Sequence, residues 1–278
     1  MNKNQKGKSI KLLALGTCCV DVFPEKSVVT PGGEALNIAV QLSAKEDVEV
    51  WLMGLIGNDD YGKVILDSIR GREINGDHLY QVEGETAHHV IHIDETGDRY
   101  FKEGAWHGGV VDSLTLSDSD IELLHNMDVV ITTLWQPTLK QLVELKEECG
   151  YLLAVDFNDQ REFGSWESLI DGIDVFFSSA TDTMKPEFQR RSEVGDTIFV
   201  LTFGEHGSTA FQNGSSVHCP AVKVDKVVDT TGCGDCYQGN FVVEYALSGN
   251  IVRAMDRGAR EAAKVTQHVG GFVNDVPG

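Results

Sequence analysis

Short apolar runs alternate along this chain with longer stretches in which apolar residues recur at helical spacing. The apolar runs predict strands at 10–20, 48–56, 128–134, 151–157, 173–179 and 197–203. The amphipathic stretches predict helices at 34–45, 61–71, 117–125, 137–149, 235–248 and 251–269. Continuous apolar strands that alternate with helices are typical of a parallel sheet covered on both faces. We therefore predict an α/β fold of three layers, α/β/α, around a mostly parallel central sheet.

One region departs from this alternation. Residues 86–93 and 99–103 are rich in β-branched and aromatic residues and flank the turn sequence DETGD. We expect this pair of strands to project from the edge of the sheet as a small β-lid. Polar residues and glycines stand at or just after predicted strand ends, where open α/β sheets bind their ligands. These residues are Asp21, Gly57, Asp156, Gly204 and Asp229.

Composition and charge narrow the class of protein. The chain has 278 residues, enough for one large α/β domain or two small ones, and a formal net charge of −20. Such a charge repels nucleic acid phosphates and anionic membranes, so we expect neither as a partner. The apolar run at 12–20 continues directly into Asp21 and indicates a strand rather than a signal, so we expect a cytoplasmic protein. In that compartment the six cysteines are expected to be free thiols.

Two short motifs resemble ligand sites but fit them poorly. The segment GNDDYGK at 57–63 has the start of a phosphate-binding loop, but Val64 stands where a hydroxyl residue would hold Mg²⁺. A turn followed by a helix start is the better interpretation. The segment HHVIH at 88–92 would place His88 and His92 on one strand face, without a carboxylate or thiol to complete a metal site. We expect these imidazoles to face solvent or a polar ligand.

The segment DTTGCGDCYQGNF, residues 229–241, has two functional interpretations. Cys233 and Cys236 form a Cys-x-x-Cys, typical of redox or metal sites, but the intervening Asp235 would raise the thiol pKa values. The two glycines, in contrast, let the backbone expose N–H groups at a helix start, which makes an anion hole beside Asp235. Phosphoryl transfer needs both charge stabilisation and a proton acceptor. A purely structural helix cap by Asp235 stays open.

Four segments, in this order, resemble the motifs of the ribokinase-like (PfkB) carbohydrate kinases. PGGEALNIAV, MGLIGNDDYG, LTFGEHGS and DTTGCGDCYQGNF are similar to that family's G-G-x-x-x-N-x-A, G-x-V-G-x-D-x-x-G, T-x-G-x-x-G and D-T-x-G-A-G-D-x-F-x-G. The resemblance spans about residues 10–270 and implies one ribokinase-like domain over 1–278. It also implies a β-lid built from parts of about 20–31 and 86–106, and transfer of the γ-phosphoryl group of ATP, with Mg²⁺, to a sugar hydroxyl.

The resemblance implies a role for individual residues. Asp235 would be the catalytic base, and the backbone N–H groups of Gly232, Cys233 and Gly234 would form the anion hole. The residues implied in sugar binding are Asp21, Gly32, Gly33, Asn37 and Arg99. The residues implied in nucleotide binding are Ser179, Thr202, Gly204 and Gly207. Asp182 would hold Mg²⁺ through water, and Asp229 and Thr231, with the 266–271 turn, would fit a monovalent cation such as K⁺.

The chain also departs from the family pattern. Cys233 stands where the family has alanine, and Ser179-x-x-Asp182 stands where it has Asn-x-x-Glu. The segments CCVD, DRYFKEGAWHGG, TLWQ and AVDFNDQ are similar to the bacterial fructoselysine 6-kinase branch, which implies phosphorylation of a fructosamine at C6. A kinase for fructose or a nucleoside, and a non-catalytic sugar or nucleotide sensor, stay open as alternatives. We expect a homodimer formed through the lid, because an exposed β-lid needs its edge or face covered.

Overall fold

The computed structural model describes residues 9–93, 99–100, 102–161, 163–164 and 166–273. The strands are β1 (Ile10–Leu15), β2 (Cys19–Phe23), β3 (Val28–Gly32), β4 (Val48–Gly57), β5 (Ile74–Val82), β6 (His88–Val90), β7 (His92–Ile93), β8 (Arg99–Tyr100), β9 (Trp106–His107), β10 (Val129–Thr133), β11 (Leu152–Asp156), β12 (Val175–Ser179), β13 (Ile198–Thr202), β14 (Ser208–Gln212) and β15 (Ser215–Cys219). The helices are α1 (Glu34–Leu42), α2 (Asp60–Ile69), α3 (Asp118–Leu124), α4 (Leu139–Cys149), α5 (Glu167–Ile170), α6 (Lys185–Arg191), α7 (Cys233–Ser248) and α8 (Ile251–Val265).

A nine-stranded sheet in the order β15-β14-β13-β12-β11-β10-β1-β4-β5 forms the centre of the molecule. The neighbouring strands β13, β12, β11, β10, β1, β4 and β5 all pair in parallel. Strands β14 and β15 extend the sheet antiparallel at one edge. The predicted α/β class with a mostly parallel sheet is therefore confirmed. In the part of the chain that the structure describes, no helix is long and apolar enough to cross a membrane.

Two apolar clusters pack on the two faces of this sheet. Leu12 and Ala14 of β1 belong to the cluster that contains buried residues of α1, α7 and α8. Leu13 and Leu15, which point to the other face because strand side chains alternate, belong to the cluster that contains residues of α4 and α6. The uninterrupted apolar sequence of β1 thus follows from burial on both faces, and the result is the predicted α/β/α layering.

A second sheet, in the order β3-β2-β6-β9, lies apart from the first. The predicted single strand at 10–20 is wrong, because the backbone turns at Gly16, where φ is +148°, and the following strand β2 enters this second sheet. The predicted hairpin is confirmed only for β7 and β8, which pair antiparallel as a separate two-stranded sheet. Strand β6 instead pairs parallel with β2 and antiparallel with β9. The turn at 94–98 lies outside the described residues.

Asp59 connects the start of α2 to the segment that leads into the second sheet. Its carboxylate caps the helix by accepting from the Gly62 N–H at 2.8 Å. It also accepts from the Thr86 hydroxyl at 2.6 Å and the Thr86 N–H at 2.8 Å. Burial raises the pKa of Asp59, but these hydrogen bonds outweigh burial and hold the pKa below its ordinary value. The interpretation of GNDDYGK as a turn and helix start is confirmed.

Replacing Asp59 by alanine should lower the free energy of unfolding by about 1–2 kcal/mol, because both the helix cap and the partner of a buried Thr86 are lost. Urea unfolding measures the change. Asp60→Ala is the matched control, since the neighbouring carboxylate is 93% exposed and forms a surface ion pair with Lys63. Equal effects of the two substitutions would contradict the connecting role of Asp59.

Candidate active site

A cavity of about 530 Å³ lies where the second sheet faces the ends of β10 and β11 and the start of α7. Its lining residues come from elements far apart in the chain. They are Thr17, Cys19, Asp21, Gly33, Glu34, Asn37, His89, Ile91, Trp106, Val111, Asp112, Thr133, Trp135, Gln136, Pro137, Asn158, Thr231, Gly232 and Asp235. Loops at the carboxyl ends of parallel strands meet at one edge of a sheet, which is why these residues converge.

Asp235 lies in the first turn of α7, at the floor of the cavity. Its Oδ2 accepts a hydrogen bond of 2.7 Å from the Asn37 side-chain amide. Burial and the nearby charge of Glu34 raise the pKa of Asp235 to about 8, against the lowering effect of that hydrogen bond. A carboxylate with a raised pKa in a cavity is a candidate proton acceptor.

The backbone before Asp235 differs in one respect from the predicted anion hole. Gly232 precedes α7 with φ at +74°, a conformation that side-chain-bearing residues avoid. The Cys233 N–H donates to the Thr230 carbonyl at 3.2 Å and so closes the turn itself. The N–H groups that follow, from Gly234 onward, open the helix, and the first turn of any helix leaves such donors without helical acceptors. These donors make the start of α7 suited to bind an anion.

Two further carboxyl groups lie near Asp235, and neither is among the site residues that the resemblance implies. Asp156, at the end of β11, accepts from Gln238 Nε2 at 2.7 Å and from the Asn158 N–H at 2.8 Å, and burial raises its pKa to about 6. Glu34 lines the cavity, and burial raises its pKa also. Glu34 directly follows Gly33 in the predicted sugar motif, and this position was the sequence signal that could have identified it as a cavity residue.

The predicted sugar-binding residues are only partly brought together. Asp21, Gly33 and Asn37 line the cavity. Asn37 is 4% exposed, and its Oδ1 is buried without a hydrogen-bond partner within the described structure. Gly32 is buried, and a Cβ built on it would lie at an ordinary contact distance from the Asp21 carboxylate. The side chain of Arg99 lies outside the described part of the structure.

The predicted nucleotide-binding residues lie together at another part of the same edge. Ser179 and Thr202 are register partners at the ends of β12 and β13. Gly204 and Gly207 bound the turn that follows β13. The Asp182 carboxylate, which is 84% exposed, pairs with Lys185 at 2.7 Å.

The Asp229 carboxylate braces the turn that precedes α7. It accepts from the Thr231 N–H at 3.0 Å, from the Thr231 hydroxyl at 2.8 Å and from the Gly270 N–H at 2.8 Å. Gln41 donates to the Gly271 and Gly232 carbonyls and joins the same turn to α1. The 266–271 turn predicted from the sequence thus lies against Asp229 and Thr231.

The Cys-x-x-Cys interpretation finds no support in the geometry. All six cysteines are free thiols, as predicted. Burial first, and then Asp229 and Asp235, raise the pKa of Cys233 to about 11, and burial raises that of Cys236 to about 12. Protonated thiols are poor nucleophiles and poor metal ligands, so Cys233 packs rather than reacts.

The histidines do not share one strand face, because the chain leaves the second sheet between β6 and β7. His88 stacks on His107 at 4.3 Å between ring centroids. The Glu25 carboxylate accepts a hydrogen bond of 2.6 Å from His92 Nδ1. His89 alone of the three lines the cavity. Within the described residues no group of three or more His, Cys, Asp or Glu side chains could hold a metal ion.

Comparisons with known proteins agree on one family. Residues 20–275 match the pfkB family carbohydrate kinase description. The chain is 27% identical over 270 residues to fructosamine kinase FrlD of Bacillus subtilis, covering 95% of this chain and 93% of that protein. It is 27% identical over 264 residues to fructoselysine 6-kinase of Escherichia coli, covering 94% and 99%. A solved structure of Arabidopsis thaliana ribokinase with ribose and ATP superposes with a TM-score of 0.81, at 18% identity and 94% coverage of both chains.

Proposed function

We propose that this chain, which belongs to the pfkB family of carbohydrate kinases and is an ATP-dependent sugar kinase, phosphorylates the C6 hydroxyl of a fructosamine such as fructoselysine. The acidic lining of the cavity is the observation that supports a fructosamine as the phosphoryl acceptor. Asp21, Glu34, Asp112 and Asp235 line it, and no lysine or arginine is among the described residues that do so. Because the pKa values of Asp235 and Glu34 are raised, the negative charge of the lining comes mainly from Asp21 and Asp112. The names of the two relatives support the same acceptor class.

The acidic lining favours a cationic acceptor over an anionic one. Two like charges about 5 Å apart, at an effective dielectric constant of about 20, repel each other by about 3 kcal/mol. A sugar phosphate or a sugar acid would place a negative charge beside these carboxylates without a base to offset it. A fructosamine carries an ammonium group that these carboxylates attract, and its hydroxyls suit the carboxylate and amide groups of Asp21 and Asn37.

The base and the helix start divide the chemistry between them. The Asp235 carboxylate accepts the proton of the C6 hydroxyl, and the oxygen of that hydroxyl bonds to the γ-phosphorus of ATP. The bond from that phosphorus to the β,γ-bridging oxygen breaks, and ADP leaves with the electron pair. The N–H groups at the start of α7, around Gly232 and Gly234, stabilise the charge of the transferring group. Asn37 orients the base through its hydrogen bond.

Nucleotide and cations are assigned to the residues that resemble family positions. Ser179, Thr202, Gly204 and Gly207 would line ATP. Mg²⁺ commonly binds through one or two carboxylates together with substrate phosphates, and Asp182 offers one such carboxylate. When bound, Mg²⁺ would neutralise phosphate charge. Backbone oxygens near Asp229 would hold K⁺.

The second sheet supplies Cys19, Asp21, His89 and Trp106 to the cavity wall, and we propose that it acts as a lid on a single kinase domain. A lid that closes over the sugar would exclude water from the transferring phosphoryl group. The exposed side chains of Val28 and Val29 on β3, 42% and 37% exposed, support the proposal that a second copy of the chain covers the lid.

ADP release with Mg²⁺–ATP and a panel of acceptors tests the proposed function. Fructoselysine should give a kcat/KM about tenfold or more above that of fructose, because only the former brings a cation to the acidic cavity. Fructose 6-phosphate, 2-keto-3-deoxygluconate, ribose and adenosine complete the panel. Nuclear magnetic resonance of the product should place the phosphate on C6. Turnover confined to an anionic sugar would overturn the proposal, and sugar binding without turnover would indicate a sensor.

A further inference from the structure

We infer that the mouth of the cavity carries a second subsite, formed by Trp106, Asp112 and Trp135, that binds the chain attached to the fructosamine nitrogen. The inference rests on the proposed function and specifies its substrate as a fructosamine with an extended aliphatic substituent that ends in an ammonium group. The subsite would distinguish such a compound from fructose and from fructosamines of small amines.

The two tryptophans are the main observation. Trp135 is 62% exposed and Trp106 is 46% exposed, although both line the cavity. A tryptophan side chain can bury about 150–250 Å², so leaving two of them exposed forgoes a large apolar contribution to folding. Single exposed apolar residues need no explanation, but two tryptophans from distant segments of the chain on one cavity indicate a ligand surface.

Both indole rings are held in place before a ligand arrives. Trp135 packs edge-on against Trp166, with 6.3 Å between ring centroids and an interplanar angle of 89°. Trp106 packs edge-on against His89 at 5.9 Å and 84°, and the pairing of β6 with β9 fixes its backbone. Rings that are already ordered lose little conformational freedom on binding, which favours affinity.

The depth of each residue fixes the orientation of the substrate. Asn37, which is 4% exposed, and Asp235 form the floor, where the C6 hydroxyl must lie to react. C1 and its nitrogen are at the opposite end of the hexose, so the substituent runs toward the exposed residues at the mouth. An aliphatic chain packs on indole faces, and a terminal ammonium group is attracted both by an indole face and by the exposed Asp112 carboxylate.

The charge around the mouth agrees with a cationic substituent. Burial lowers the pKa of His89, so this cavity residue is neutral at pH 7 and does not repel an ammonium group. Among the described lining residues, no lysine or arginine accompanies the two tryptophans. Aliphatic contact and cation attraction therefore act on the same substituent.

Two fructosamines that differ only in this substituent test the subsite. Trp135→Ala should lower kcat/KM for fructoselysine by about 10- to 100-fold, while kcat/KM for the fructosamine of methylamine changes less than about twofold. Asp112→Asn should lower the ratio of kcat/KM for fructoselysine to kcat/KM for the fructosamine of methylamine by about three- to tenfold. Trp135→Phe keeps an aromatic face and should restore most of the selectivity, and Val194→Ala, which truncates a residue that is 77% exposed and outside the cavity lining, controls for surface apolar loss.

The outcomes separate the two proposals. If the wild-type protein phosphorylates neither fructosamine, the proposed function fails. If it phosphorylates both but Trp135→Ala lowers kcat/KM for both equally, the tryptophan is only structural and the subsite is overturned. Thermal unfolding of each variant identifies a folding defect. If Trp135→Ala has one, Asp112→Asn decides, since an unchanged ratio of the two kcat/KM values in that variant overturns the subsite.

Discussion

Replacing Asp235 by asparagine should lower kcat by about 10²- to 10⁴-fold, because an amide cannot take the proton of the attacking hydroxyl. The substitution keeps the shape of the side chain and an oxygen for the Asn37 amide, so sugar binding should change little. Initial rates of ADP release with fructoselysine measure kcat, and isothermal titration measures sugar binding. A variant with kcat within tenfold of the wild type would show that Asp235 only caps α7.

The same carboxyl should set the pH dependence of the wild-type enzyme. Because the pKa of Asp235 is raised to about 8, kcat/KM should rise about tenfold per pH unit below 8 and level off above it. The folded protein holds this proton over the range from about pH 4 to 8, in which the unfolded chain has lost it. The free energy of unfolding therefore decreases with pH across that range, and Asp235→Asn should be more stable than the wild type at pH 8 but not at pH 4.

Asp120→Asn is the matched control for both effects. That carboxylate is fully buried but outside the cavity lining, where it accepts from Ser117, Tyr80 and His78. Its hydrogen bonds lower its pKa against the effect of burial. Asp120→Asn should thus lose stability and keep its kcat, the reverse of the result expected for Asp235→Asn.

Replacing Gly232 by alanine should lower kcat/KM by about 10²- to 10³-fold, because it displaces the start of α7 and the donors around it. An added Cβ would lie 2.6 Å from the Gly271 Cα, and the residue also has φ at +74°. Backbone cannot yield as a flexible side chain does, so the helix start must shift, and Asp235 shifts with it. Initial rates with saturating ATP measure the loss.

Gly249→Ala isolates the backbone strain from the steric clash. Gly249 follows the other end of α7 with φ at +61°, and an added Cβ would meet no atom within 4 Å. This control should cost about 1 kcal/mol of stability and leave kcat/KM within about twofold. Equal activity losses in the two variants would show that strain, rather than the position of the anion hole, controls the rate.

The sequence by itself determined the α/β class and the edge of the sheet at which the cavity lies. Uninterrupted apolar strands such as β10 and β13 require burial on both faces, so a parallel sheet between helices follows from local composition. The turn before Asp235 was likewise predictable, because Gly232 adopts a positive φ that the local sequence selects. Family motifs, each short and local, then assigned the base and the anion hole.

Only the tertiary structure decided how distant side chains meet in the cavity. Asn37 and Asp235 are 198 residues apart, and their hydrogen bond depends on the packing of α1 against α7. Strand β2 enters the second sheet because the backbone turns at Gly16, and the apolar residues on both sides of that turn gave no sign of it. Trp106 lies in β9 and Trp135 in the turn after β10, so no local pattern placed them on one cavity. The periodicity of apolar residues determines which face of an element is buried. The order in which strands pair determines which distant side chains meet.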